Sequence, residues 1–154
     1  MQWRIGYKVH LAVDDNGIPV SFYVSGASVH DSKVAIPLLR TSHKKVPFLY
    51  ALMDGGYSSK EIANFTKTLN AVPIIDFKAN RNGVKPEMDI ALKQIYKART
   101  TVERTNSELK DCFLPPKLFS RGNNSIMDLK LSVLLLTIKK IRHVTLQAKN
   151  KKVA

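Results

Sequence analysis

Residues 47–77 read PFLYALMDGGYSSKEIANFTKTLNAVPIIDF. PFLYALMD is apolar for most of its length and stops at Asp54, which suits a buried strand with a carboxylate at its C-terminal end. GGY follows as a turn. SSKEIANFTKTLN opens with a serine suited to capping and spaces Ile62, Ala63, Phe65 and Leu69 along one side of a helix. AVPIIDF is then a second apolar strand. A strand, a helix and a strand in this order point to an α/β arrangement.

On the N-terminal side, YKVHLAV and IPVSFYV are β-branched and aromatic runs joined through DDNG, whose Asn and Gly suit a tight turn, so residues 7–24 read as a hairpin. In HDSKVAIPLLR, Asp31 or Ser32 is placed to cap a short helix that Pro37 would bend or interrupt. Residues 78–86 are polar, carry Gly83 and Pro86, and read as a loop. A short turn at MDIALKQ leads into a helix at YKARTTVERTNSELK, residues 96–110. LPPKL and SRGNNS break the chain before a long helix over about 126–148, and KNKK frays. The whole predicts a mixed sheet flanked by helices, without internal repeats.

The chain has 154 residues, 44% of them hydrophobic, enough for one globular domain with a genuine core. Lys and Arg outnumber Asp and Glu by 25 to 12, for a formal charge of +13, which favours a polyanionic partner, nucleic acid before an acidic membrane surface. LSVLLLTI, the longest strongly apolar run, is far shorter than the roughly 20 residues a bilayer span needs. With no signal-peptide pattern and a single cysteine, Cys112, the expected location is cytoplasmic. Cys112 and Trp3 read as packing residues, and none of His10, His30, His43 and His143 has zinc-site spacing.

On a regular helix, about 100° of rotation per residue brings Tyr96, Arg99, Glu103 and Lys110 within roughly 60° of one another. Ala98, Val102, Leu109 and Phe113 fall on another arc and seat the helix. Arg99 and Glu103, at i and i+4, make an ordinary surface ion pair by themselves. Asp54 alters that picture, because a carboxylate at the end of a buried strand needs a partner. One partner is a hard divalent cation such as Mg²⁺, with Glu103 supplying further oxygen ligands. The plainer alternative is that Asp54 caps the DGGY turn through backbone amides.

Tyr96, Arg99, Glu103 and Lys110 match the Y-x2-R-x3-E-x6-K signature of bacterial insertion-sequence transposases of the DDE type. ALMDGGYSS resembles the strand of that family that presents the second catalytic aspartate, and GYKVHLAVDDNG with VHDSK resembles its hairpin and following turn. The resemblance covers nearly everything from Gly6 to Lys110. It implies an RNase H-like core that cleaves transposon DNA and transfers its strands. Asp54 and Glu103 would be catalytic metal ligands, for Mg²⁺ or Mn²⁺ in a two-metal site, and Tyr96, Arg99 and Lys110 would contact DNA phosphates.

The family's first catalytic aspartate lies on a core strand upstream of the hairpin, whereas MQWRIG carries no acidic residue and Asp14 and Asp15 sit in the hairpin turn. The resemblance therefore predicts an N-terminally truncated domain whose first core strand is missing, leaving a gap in the sheet or a new pairing. Residues 1–125 would be the partial catalytic domain and 126–154 its C-terminal helix with a basic tail. The expected partners are transposon ends and target DNA, with a homodimer or a mixed dimer with full-length transposase, and no membrane. The alternative is a catalytically dead remnant that binds DNA or full-length transposase. A basic RNA-binding protein is the weakest reading, since it leaves Asp54 and the helix quartet unexplained.

Overall fold

The structure, a computed structural model, describes residues 6–77, 87–115 and 122–153. Trp3, the loop expected at 78–86 and most of the LPPKL-to-SRG break lie outside them. The chain divides into two compact units, one formed by residues 1–27 with 101–154 and the other by residues 28–100.

In the first unit, β1 (Tyr7–Val13) pairs antiparallel with β2 (Pro19–Gly26), Tyr7 opposite Gly26, with a shift of register between Ala12 and Val13. The DDNG turn forms as its residues dictate. Asp14 Oδ1 accepts from the backbone N–H groups of Asn16 (3.1 Å) and Ile18 (2.7 Å), and Gly17 takes a φ of +80° that a side chain would oppose. Val9, Leu11 and Phe22 of the hairpin pack on a buried cluster of Leu109, Val133 and Leu136. Two of that cluster come from α5 (Asn123–Val153), which starts three residues before the expected position and continues through KNKK.

α4 (Arg99–Glu108) also belongs mostly to this unit. Its Thr105, fully buried, donates Oγ1 to the Gly17 carbonyl at 3.3 Å. A Cβ at Gly17 would stand 3.1 Å from that Oγ1, so the turn glycine also makes room for the helix. Gly17→Ala is therefore expected to destabilise the protein by about 1–2 kcal/mol, read from a urea melt, because strained backbone and a tight contact coincide. At its other end, α4 is pinned to α5 by Glu108, whose carboxylate meets Lys139 Nζ at 2.7 Å and Lys140 Nζ at 2.6 Å. Hydrogen bonds from the two ammonium groups hold the Glu108 carboxyl below the usual range.

In the second unit, β3 (Tyr50–Met53) runs parallel to β4 (Val72–Ile75), connected by α2 (Lys60–Thr68), which Ser59 caps by accepting the Glu61 N–H at 3.2 Å. Ala51, Met53, Ile62 and Ile75 form the core with Ala35 of α1 (Asp31–Lys45). α1 corrects the sequence reading twice. Its cap is His30, whose Nδ1 accepts the Ser32 N–H at 3.3 Å. The helix also runs on through Pro37, because buried Val34, Ala35 and Leu38 secure the turns on both sides.

Two further expectations fail. The segment 96–110 is not one regular helix, and MDIALKQ is not a turn: α3 (Ile90–Tyr96), capped by Asp89, precedes α4, and a π-helical turn spans Leu109–Phe113. Between α3 and α4 the N–H groups of Lys97, Ala98 and Thr100 bond three residues back, which tightens the rotation per residue. Five residues back is the spacing from Leu114 N–H to the Leu109 carbonyl, which loosens it. The common face calculated for a regular helix is therefore lost. Cys112, in the π turn, is exposed rather than packed, since the turn buries Leu109 instead.

The antiparallel pair and the parallel pair are separate two-stranded sheets, with no strand joining them among the described residues. The α/β class stands, in small sheets accompanied by helices.

Candidate active site

Asp54 is the residue at which the parallel strands of the second unit end. Its Oδ1 accepts the Gly56 N–H at 2.9 Å, and its carbonyl accepts the Tyr57 N–H at 3.0 Å, so the carboxylate caps a 3-10 turn over Gly55–Tyr57. The capping role considered in the sequence is therefore real, and it fixes one oxygen only. Oδ2 faces Arg99 Nη2 at 3.6 Å, with the two side chains 46% and 30% exposed, respectively. At that separation and exposure the pair contributes little stability, but it aims a cation at the end of β3.

Tyr96 completes the arrangement. Its hydroxyl donates to the Met53 carbonyl at 3.2 Å, and that same carbonyl accepts the Asp76 N–H at 3.2 Å. The last residue of α3 is thus tied to the point where β3 and β4 stop. The Arg99 guanidinium lies 5.7 Å from the Tyr96 ring centre, within cation–π reach. Burial raises the Tyr96 hydroxyl pKa, with Arg99 partly opposing the shift. Three residues singled out in the sequence, Asp54, Tyr96 and Arg99, therefore meet beyond the carboxyl ends of parallel strands, where α/β sheets generally place ligands.

Glu103 and Lys110 belong to the first unit. Glu103 is exposed on α4 one turn beyond Arg99, and Lys110 is exposed in the π turn. Sequence reasoning offered Asp31 only as a helix cap and gave Tyr57 no role, yet both border Asp54. A Cβ at Gly56 would stand 3.0 Å from Asp54 Oδ1 and 3.8 Å from Asp31 Oδ2, so both carboxylates approach that glycine. The nearby HDS and GGY segments were visible, but only tertiary structure shows that they converge. No group of three or more His, Cys, Asp or Glu residues poised to hold a metal occurs among the described residues.

Burial, then the charges of Asp31 and Asp54, push the Tyr57 hydroxyl up to about 12. A pKa raised in the folded state adds stability that is complete below the ordinary value of 10.0 and is lost as pH rises through about 12. Phenolate absorbance is expected to show a late-titrating tyrosine that Tyr57→Phe removes, with unfolding setting in over the same alkaline range.

No helix among the described residues is long and apolar enough to cross a membrane. In comparisons with known proteins, the family model described as "Transposase DDE domain" matches residues 1–136. No curated protein and no solved structure matches. With most of its length matched, this chain, which carries an aspartate, a tyrosine and an arginine together at the end of a parallel strand pair, belongs to the DDE transposases of insertion sequences.

Proposed function

We propose that the chain is the catalytic-domain protein of a DNA transposase, in which Asp54 and Glu103 are the catalytic carboxylates and hold Mg²⁺ or Mn²⁺ against DNA. Family membership carries the coarser part: DDE transposases transfer phosphoryl groups on nucleic acid, bind DNA and generally use divalent metal ions. The observation that carries the finer part is the Asp54–Arg99 pair at 3.6 Å. Arg99 and Glu103 lie four residues apart on α4, on one face and about 6 Å along the axis. The Y-x2-R-x3-E-x6-K pattern that joins Glu103 to Tyr96, Arg99 and Lys110 supports the role proposed for the glutamate.

The donor set suits a hard cation. Asp54 presents Oδ2 toward Arg99 while Oδ1 is held by the turn, and Mg²⁺ is commonly bound through one or two carboxylates together with water and substrate phosphates. When bound, such ions activate an attacking oxygen and stabilise the leaving one. The chain's own residues do the rest. The turn at Gly56 fixes the Asp54 carboxylate, and the Tyr96 tie to Met53 fixes the start of α4. Arg99 exchanges its carboxylate partner for a DNA phosphate, a substitution its partial exposure permits. Lys110 adds a second phosphate contact.

A nicking assay with Mg²⁺ or Mn²⁺ tests this reading: cleavage by the wild type and its loss in Glu103→Gln support it. The second reading, DNA binding without cleavage, is favoured by a basic cleft of about 390 Å³ lined by Glu108, Lys139, Lys140, Arg142, His143 and Leu146. Binding that weakens with salt in both proteins, without cleavage in either, would select it.

A further inference from the structure

The residue proposed to hold the cation and the residue proposed to hold phosphate face each other. Asp54 Oδ1 already accepts the Gly56 N–H at 2.9 Å, which leaves Oδ2 as the oxygen with more room for a metal. Oδ2 meets Arg99 Nη2 at 3.6 Å. A divalent ion arriving there contends with the guanidinium for one oxygen and is repelled by its charge. As long as Arg99 stays in place, Asp54 is a poor ligand.

The position of Arg99 is built into the second unit. Tyr96 donates its hydroxyl to the carbonyl of Met53, the residue before Asp54, at 3.2 Å, and the Arg99 guanidinium lies 5.7 Å from the Tyr96 ring centre. A ring anchored at the end of β3 therefore steadies the guanidinium beside the carboxylate. Asp54, Tyr96 and Arg99 all belong to the compact unit of residues 28–100. The pair is nevertheless open, with the Arg99 side chain 30% and the Asp54 side chain 46% exposed. Ion pairs this long and this exposed are weak, whereas a phosphate presents two oxygens to the fork of a guanidinium. Phosphate is the stronger partner for Arg99.

We propose, on the reading that Asp54 holds the cation, that Arg99 makes cation binding conditional on DNA. Paired with Asp54, Arg99 holds the ion off; drawn to a DNA phosphate, it has its charge neutralised and releases Oδ2. DNA then tightens cation binding, and by linkage the cation tightens DNA binding by the same factor. A unit charge about 6 Å from a divalent ion in water-like surroundings weakens its binding by about tenfold, which sets the size of the effect. The order of assembly follows: DNA first, metal second.

Mn²⁺ binding, followed by the electron paramagnetic resonance of the free aquo ion, is the test. A short DNA duplex is the phosphate probe, and ion bound by the duplex alone is subtracted. Without DNA, Arg99→Gln is expected to bind Mn²⁺ about tenfold more tightly than the wild type. Arg99→Lys, which keeps the charge, binds as weakly as the wild type. At saturating duplex the wild type approaches the affinity of Arg99→Gln, so DNA improves Mn²⁺ binding about tenfold more in the wild type than in Arg99→Gln. Any improvement left in Arg99→Gln comes from phosphate oxygens that ligate the ion directly. Circular dichroism stays unchanged in both variants, since the pair is exposed. Equal Mn²⁺ affinities of the wild type and Arg99→Gln without DNA, or equal improvement by DNA in the two, would overturn the proposal. If Asp54→Asn still abolishes Mn²⁺ binding in that case, Asp54 remains the ligand and the conditional role of Arg99 alone falls. Mn²⁺ binding that is indifferent to Asp54→Asn, or absent with and without DNA, would overturn both readings.

Discussion

Asp54→Asn is expected to lower metal-dependent DNA cleavage by about a thousandfold, equivalent to about 4 kcal/mol in the barrier, while the fold and DNA affinity survive. The substitution is nearly isosteric, and an asparagine Oδ1 can still accept the Gly56 N–H that now bonds at 2.9 Å, so the 3-10 turn keeps its cap. What disappears is the negative charge that faces Arg99 and, in the proposed site, the cation. Losing that charge beside an arginine proposed to bind DNA phosphate should leave DNA binding equal or slightly tighter. Asp54→Ala makes the contrast. It removes the cap as well and is expected to cost about 1 kcal/mol of stability in addition to activity. Parallel measurements of cleavage, gel-shift affinity and melting separate these effects. Equal loss of folding and cleavage in Asp54→Asn would assign the aspartate to the turn alone.

The largest effect on stability is expected at Leu136. Its side chain is 0% exposed and packs with Leu109 and Val133 against the hairpin residues Val9, Leu11 and Phe22. Truncation to alanine removes buried methyl groups and leaves a cavity between a helix and a sheet, neither of which can collapse far. Leu136→Ala should therefore destabilise by about 3 kcal/mol. Against a total stability of about 5–15 kcal/mol that is a large share, visible as a clear fall in the denaturation midpoint. Leu134→Ala, two residues away but on the exposed face, is expected to change the stability of the dilute protein by less than about 0.5 kcal/mol.

Local signals carried much of this architecture. The apolar runs around residues 50–53 and 72–75, the Ser59 cap and the DDNG turn each state their conformation in a few adjacent residues. What failed depends on contacts distant in sequence. Pro37 suggested a bend or an interruption because its cost is local, whereas the burial that keeps α1 uninterrupted comes from strands and helices elsewhere in the unit. The regular helix expected at 96–110 is interrupted on both sides of α4, as hydrogen bonding changes from three residues back to five. Nothing in the alphabet of that segment announces either change. Tyr96 and Arg99 still reach Asp54, because the hydroxyl tie to Met53 and the ion pair to Asp54 place them by tertiary contact rather than by a shared helical face. Strand pairing was legible in part: the DDNG turn names the partner of β1, whereas period and β-branching do not say that β3 runs parallel to β4.

The proposed assignment of Asp54 and Glu103 as ligands of a divalent cation is checked by replacing that cation with Fe²⁺ and mapping the oxidative cuts it makes in the adjacent backbone. Cuts are expected at two places far apart in sequence, beside residues 54 and 103, both suppressed by Mg²⁺ and both lost in either Asp54→Asn or Glu103→Gln. Cutting at only one of the two positions, or cuts at 54 that persist unchanged in Glu103→Gln, would contradict it.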